Sequence, residues 1–295
     1  MQHAPTPAIG FIGGSGLYQI EGLEGCTEHR VQTPWGDPSD VIMGGRLAGR
    51  QVYFLPRHGR GHRILPNEIN HRANIYALRS LGVRWLISIS AVGSLQPQYE
   101  PRHMVLPDQF FDRTSRQREH TFFGNGIVAH IAFADPVSNR LRSLVETVAR
   151  GMGVPVHSGG TYVNMEGPAF STRAESETNR RLGFDIIGMT ALGEAKLARE
   201  AEIAYTPVCM VTDYDCWKVE EEPVTIETVL SHLQHNAEVA KALIPRVIPC
   251  IPTAPDWPEH QALENAIVTP ASLWPRETVN RLGPILHRFL QPASL

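Results

Sequence analysis

Tyr205-Thr206-Pro207-Val208-Cys209-Met210-Val211-Thr212-Asp213-Tyr214-Asp215-Cys216-Trp217 is the stretch that decides the fold class. Its first half is apolar and β-branched, the composition of a buried strand. Two carboxylates, Asp213 and Asp215, then alternate where the apolar run ends. If the backbone stays extended there, alternation places both side chains on one side of it. Acids at the carboxyl end of a buried strand stand where open α/β sheets bind ligands. The competing reading is local: Asp213 caps a turn and Asp215 is merely solvated. Position alone leaves both open.

Working outward, the 295 residues are 42% hydrophobic and 19% charged, enough to bury a sizeable core in one large domain with an appendage, or in two small ones. With 27 Lys and Arg against 30 Asp and Glu there is no basic field for nucleic acid, so any bound anion must be held by local donors. No apolar run approaches the roughly 18 residues of a membrane span, and the first residues lack the pattern of a signal peptide. Cys26, Cys209, Cys216 and Cys250 form no Cys-x-x-Cys pair and read as reduced thiols of a cytoplasmic protein.

Several strand ends carry chemistry. Ile9–Ile12 runs into Gly13-Gly14-Ser15-Gly16, a turn whose backbone N–H groups and hydroxyl suit an oxyanion. It is neither a Walker loop nor a nucleophile elbow: no Gly-Lys-Ser/Thr follows, and Leu17 stands where the last glycine of Gly-x-Ser-x-Gly belongs. Residues 41–55 alternate around Gly44-Gly45 and suggest a hairpin. Arg57-His58-Gly59-Arg60-Gly61-His62-Arg63 follows it, a second candidate anion site or else a solvated basic loop. The glycines between His58 and His62 argue against a metal-binding helix, and no carboxylate or cysteine lies close by.

A helix is expected from Pro66 to Leu81, then the strand Val83–Ile89 ending in Ser90-Ala91-Val92-Gly93-Ser94. Residues 104–112 read as strand and turn. Ser138 caps a helix closed by Gly151 and Gly153, Gly160–Met165 is a strand, and Thr172 with Glu175 forms a capping box. Asp185–Thr190 reads as a short strand delivering Met189 and Thr190. A long helix from Thr225 carries Ile226, Val229 and Leu230, and prolines from Pro245 to Pro258 mark a linker. Helical patterns near 262–267 and 279–289 close the chain. Alternating strands and helices predict an α/β fold, a single domain with a mostly parallel or mixed sheet flanked by helices. Residues 1–250 are expected to form the catalytic domain, and 251–295 a Pro-rich linker with a helical extension.

Gly13-Gly14-Ser15-Gly16, Arg57-His58-Gly59, Ala91-Val92-Gly93-Ser94, Glu166-Gly167-Pro168, Met189-Thr190 and Thr212-Asp213-Tyr214-Asp215-Cys216-Trp217 occur in the order and spacing of the trimeric purine nucleoside phosphorylase family. The chain resembles that family over about residues 9–245, and the last motif is similar to that of the branch using S-methyl-5'-thioadenosine. The resemblance implies phosphate held by Ser15, Arg57, His58, Ser90, Ala91 and Thr190, with Met189 against the ribose and Phe170 and Ser171 beside the base. Many relatives carry Thr in place of Ser15 and Ser90; both changes keep a hydroxyl. The resemblance also implies that His130 reaches the 5' end of a neighbouring subunit's substrate, hence a homotrimer, with pairing of trimers into hexamers left open.

At the base, adenine presents a 6-amino donor, which a carboxylate accepts, whereas a 6-oxopurine suits an amide. Asp213 stands at the discriminating position with Asp215 beside it. At the 5' end, relatives preferring a hydroxyl place a His where this chain has Ile226. An apolar wall of Ile226, Val229 and Leu230 favours a thioether, though the same spacing also serves an ordinary helix core. The implied reaction is phosphorolysis of S-methyl-5'-thioadenosine to adenine and 5-methylthioribose 1-phosphate. Asp213 protonates N7 and the acid pair shares a proton; inorganic phosphate is a co-substrate, and no cofactor or metal is needed. The alternatives are a phosphorylase preferring adenosine or methylthioinosine, a hydrolytic nucleosidase, and a nucleoside sensor without turnover.

Overall fold

The computed structural model describes residues 7–14, 17, 20–115, 117–218 and 226–290, of which 117, 118 and 226–230 by backbone alone. Strand β1 (Ala8–Gly13) is buried along its whole length, as a strand covered on both faces must be. It pairs in parallel with the last strand of an antiparallel ribbon, β2 (Glu24–His29), β3 (Ile42–Leu47) and β4 (Arg50–Pro56). The hairpin turns at Ala48-Gly49, both at positive φ, and not at Gly44-Gly45, which lie inside β3. Those glycines make room: a Cβ at Gly44 would meet His29 Nε2 at 2.6 Å, and one at Gly45 would meet Leu23 at 2.8 Å.

The helix expected from Pro66 starts later, as α1 (His71–Ser80). Pro66–Glu68 makes a single 3-10 turn, and the Asn70 side chain accepts from the Ala73 N–H at 3.1 Å, which sets the true N-terminus. Next comes β5 (Val83–Ser94), longer than expected because it runs on through Ala91-Val92-Gly93. The segment 104–112 resolves into β6 (Met104–Leu106) and β7 (Gln109–Arg113). Ser138 caps α2 (Asn139–Gly151) as expected, followed by β8 (Val156–Ser158) and β9 (Thr161–Met165). The Thr172–Glu175 capping box opens α3 (Arg173–Arg181). Then come β10 (Ile186–Gly188), α4 (Ala191–Glu200), β11 (Ala204–Asp213) and α5 (Ile226–Val247), the last carrying Pro245 within it.

The strands form one mixed sheet in the order β2-β3-β4-β1-β5-β10-β9-β7, with β11 joined to β5 and β6, and β6 to β8. β5 is the spine: it pairs in parallel with β1 and β11 and, at its far end, antiparallel with β10. The carboxyl ends of β1, β4, β5 and β11 therefore open on one side. Two apolar clusters cover the sheet, one holding α2 and α5 and the other α1 and α4.

Residues beyond 250 contribute to both clusters. Trp257 joins the first, and Leu263, Ala266, Leu282, Ile285 and Leu286 the second. The pattern near 262–267 is a run of turns, not a helix. That over 279–289 divides into α6 (Arg276–Leu282), a 3-10 turn and α7 (His287–Leu290), interrupted at Gly283 (φ 35°) and Pro284. Buried Glu202 ties this segment down, accepting from Arg288 Nη2 at 2.7 Å and from the Leu263 N–H at 3.1 Å.

A second buried carboxylate sets a pH dependence. Glu200 accepts from Thr121 Oγ1 and the Phe122 N–H, both at 2.7 Å, yet burial pushes it up to about 7. A folded-state pKa above the unfolded value means the folded protein binds this proton more tightly. Its contribution to stability is therefore complete below the ordinary Glu range and is lost as pH rises to about 7. Thermal unfolding at pH 5 and pH 8 is expected to show a larger drop in Tm for the parent chain than for Glu200→Gln.

Candidate active site

Strand β11 ends differently from a simple extension. Its register against β5 shifts between Val211 and Asp213, so that Asp213 pairs with Gly93. Asp215 then sits at positive φ (22°), and its N–H donates to Asp213 Oδ1 at 3.0 Å. The two acids are thus brought together by a turn, not by strand alternation; both the turn and the juxtaposition foreseen for Asp213 are present. Gly93 is what lets them lie there, since a Cβ on it would stand 3.2 Å from Asp213 Oδ1 and 3.4 Å from Asp215 Cβ.

Helix α5 backs this strand end: His232 Nδ1 meets the Thr212 carbonyl at 2.8 Å and Asn236 Nδ2 donates to that of Val211 at 3.1 Å. Burial raises Asp213 above its usual range, against the Thr212 hydroxyl that donates to Oδ2 at 2.7 Å, and the Asp215 charge adds to the rise. Asp215 Oδ2 is buried with no hydrogen-bond partner among the described residues. A buried acceptor left so is a place for a ligand donor.

Around the acids, Cys216 Sγ donates to the Ser171 carbonyl at 3.3 Å, holding the 168–172 loop beside Asp215. Phe170 projects from that loop, 85% exposed. Met189 lies under Gly167, where a Cβ would meet its sulfur at 2.6 Å. It shares a cleft with Asn164, Met165, Glu166, His71 and His120.

A second group of residues gathers farther back along β5, around Ser88, Ile89 and Ser90. The Arg57 N–H donates to the Gly13 carbonyl at 2.9 Å, joining the ends of β1 and β4. Arg57 is buried, only 2% exposed as a residue. Its Nε donates to Glu194 Oε1 at 2.5 Å, Nη1 to the Ile89 carbonyl at 3.1 Å and Nη2 to Ser88 Oγ at 2.6 Å. Ser90, buried on β5, faces Cys209 across the strand pair, while Ala91 is exposed. Thr190 starts α4 with a side chain that makes no capping bond, leaving its hydroxyl and the helix N-terminus to an anion.

His58 Nδ1 lies 2.8 Å from the Ile64 carbonyl, which can only accept, so the proton is on Nδ1 and Nε2 is left as an acceptor. Burial, outweighing that bond, pushes His58 down to about 4; the ring is neutral at neutral pH and stacks on His62 at 4.3 Å. Among the described residues no group of three or more His, Cys, Asp or Glu is placed to hold a metal ion, and no helix is long and apolar enough to cross a membrane.

Of the remaining expected residues, Ser15 lies outside the described residues. Ile226, Val229 and Leu230 fall on the first turns of α5, with side chains outside them. His130 is exposed, its N–H donating to the Ala266 carbonyl at 2.8 Å and its neighbour Ala129 bridging Ile267. Sequence reasoning missed Glu194, Ser88 and Tyr205, which surround Arg57. The available signal was Glu194 itself, a carboxylate one helical turn past Thr190 in an apolar stretch, hence on the same face.

Residues 8–249 match the model of the phosphorylase superfamily. The chain belongs to that superfamily. It is 53% identical over 287 residues, 97% of this chain and 99% of the relative, to the S-methyl-5'-thioadenosine phosphorylase of Chloroflexus aurantiacus. The crystal structure of a methylthioadenosine phosphorylase from an antarctic soil metagenomic library superposes with a TM-score of 0.91 at 45% identity, covering 95% of this chain and 99% of that one. A mutant adenosine/methylthioadenosine phosphorylase of Schistosoma mansoni, solved with methylthioadenosine, gives a TM-score of 0.75 at 33% identity over 82% of this chain and 91% of that one. The superfamily's mixed sheet with flanking helices is the fold foreseen from the sequence.

Proposed function

We propose that the chain cleaves S-methyl-5'-thioadenosine with inorganic phosphate, giving adenine and 5-methylthioribose 1-phosphate. The observation that carries this is the half-buried acid pair at the end of β11, with Asp213 raised and Asp215 Oδ2 unpartnered among the described residues, and the Arg57 group farther back along the adjoining strand β5. The acid pair suits a base that carries donors, the Arg57 group an anion, and a nucleoside with phosphate needs both. The near-identical coverage of relatives named for this substrate supports the choice of base and 5' group.

In this mechanism Arg57, His58, Ser15, Ser90, Ala91 and Thr190 hold phosphate beneath C1', which supplies proximity and electrostatic stabilisation. Phosphate attacks as the glycosidic bond breaks, with inversion and oxocarbenium character in the sugar. Asp213 donates its proton to N7 of the departing adenine, and Asp215 accepts from the 6-amino group. Met189 packs against the ribose, Phe170 and Ser171 flank the base, and Ile226, Val229 and Leu230 wall the methylthio group. Residues 1–250 carry the chemistry and 251–295 buttress it. The enzyme works in the cytoplasm, without a cofactor, as a homotrimer. Exposed His130 reaches a neighbour's substrate from a surface that also exposes Val128, Val268 and Leu273.

Adenine release from methylthioadenosine, with and without phosphate, tests the reaction. Release that depends on phosphate is expected; release that continues without it would assign a hydrolase. Running adenosine and methylthioinosine alongside tests the substrate: a kcat/KM for either that equals or exceeds that for methylthioadenosine would overturn the choice.

A further inference from the structure

Arg57 is the expected cation of the phosphate cradle, yet its charge is already matched inside the protein. Of its five N–H groups, Nε and Nη2 reach Glu194 at 2.5 and 3.3 Å, Nη2 also reaches Ser88, and Nη1 reaches the Ile89 carbonyl. Among the described residues this leaves one N–H, on Nη1, for a ligand. Glu194 in turn accepts from Ser88 Oγ at 2.5 Å and from the Tyr205 hydroxyl at 3.2 Å. Both members of the ion pair are almost wholly buried, with side-chain exposures of 3% and 1%. With His58 neutral, the formal charges that these groups present to an anion sum to zero.

We propose that Glu194 is the charge-balancing and positioning residue of the phosphate site. It fixes the guanidinium so that one N–H faces the anion, and by cancelling its charge keeps phosphate and the sugar 1-phosphate product releasable. The inference rests on the reading of Arg57 as a phosphate ligand. A carboxylate adjoining an anion site in a low-dielectric interior opposes binding of that anion, since the repulsion is little screened there. The surroundings suit its neutral isostere in part: in Glu194→Gln the amide oxygen keeps the bond from Arg57 Nε, the 3.3 Å contact of Nη2 with Oε2 is given up, and the guanidinium lacks its counter-charge until phosphate binds. The amide nitrogen donates to Ser88 or Tyr205, whose hydroxyls can each turn to accept.

Calorimetric titration of inorganic phosphate into the parent chain, Glu194→Gln and Arg57→Ala tests this. Glu194→Gln is expected to bind phosphate roughly tenfold more tightly or better, a coupling of ordinary size between neighbouring groups. Its turnover should slow, and adenine should appear in a burst because product leaves late. A role limited to holding the fold would lower Tm and leave phosphate affinity equal or weaker, and that result overturns the proposal. If Glu194→Gln unfolds in phosphate-free buffer, its folded fraction against phosphate concentration reads the same affinity; a variant that phosphate does not restore also overturns it. Arg57→Ala separates the two readings. Loss of phosphate binding there without tightening in Glu194→Gln defeats the Glu194 inference alone, whereas Arg57→Ala binding phosphate like the parent defeats the phosphate-site assignment and this inference with it.

Discussion

Replacing Asp213 with asparagine is expected to lower turnover of methylthioadenosine by roughly 10²- to 10⁴-fold, the range that a positioned general acid contributes. The amide fills the same space: its oxygen can keep the bond from the Asp215 N–H, and its N–H₂ can donate to the Thr212 hydroxyl, which turns to accept, so the turn over Gly93 survives. It has no acidic proton, and N7 of the departing adenine is left to develop negative charge unaided. The amide N–H₂ suits a 6-oxo acceptor, so the ratio of activity on 6-oxopurine to 6-aminopurine nucleosides is expected to rise. The pH profile gives an independent sign. Burial and the Asp215 charge raise the pKa of Asp213, so its working protonated form persists above the ordinary carboxylate range. Rate then falls as pH rises through the raised value. That basic-side fall should be absent in Asp213→Asn; an unchanged profile and unchanged base preference would remove Asp213 from the chemistry.

Arg57→Ala has the second large effect, on two observables at once. The phosphate KM is expected to rise on the order of a hundredfold or more, from loss of a charged hydrogen-bond donor in a buried site, with the nucleoside KM far less affected. Folding stability should fall by about 3–5 kcal/mol, because Glu194 is left charged and buried without its partner. The double variant Arg57→Met/Glu194→Gln separates the two: stability should largely return, since no unpaired charge remains, while phosphate binding should not. Chemical denaturation together with initial rates at varied phosphate measures both. Equal losses for phosphate and nucleoside would take Arg57 out of the anion site.

Much of this arrangement is legible in the sequence. The apolar run ending at Asp213, the small residues closing β5 and the Arg57-His58 pair after β4 each signalled a strand end with chemistry on it. The shared sheet brings those ends to one side, so a local reading of strand ends suffices to place them. It does not suffice where the cause is not local. Asp213 and Asp215 meet through a register shift and a positive φ, which a period-two pattern cannot contain. The Glu194 clamp joins residues 137 positions apart, a contact that no window of sequence reveals. The turn at Ala48-Gly49 was hidden because two neighbouring glycines serve packing. The segment beyond 250 reads as a Pro-rich linker and helical extension; its apolar residues complete clusters that the rest of the chain begins.

The most direct test is a crystal structure of the protein with adenine and phosphate bound. It is expected to place an Asp213 oxygen within about 3.2 Å of adenine N7, with Asp215 Oδ2 facing the 6-amino group and phosphate against Arg57 Nη1 and the N-terminus of α4. Adenine bound with Asp213 and Asp215 turned away from it, or phosphate lodged apart from Arg57, would contradict the account.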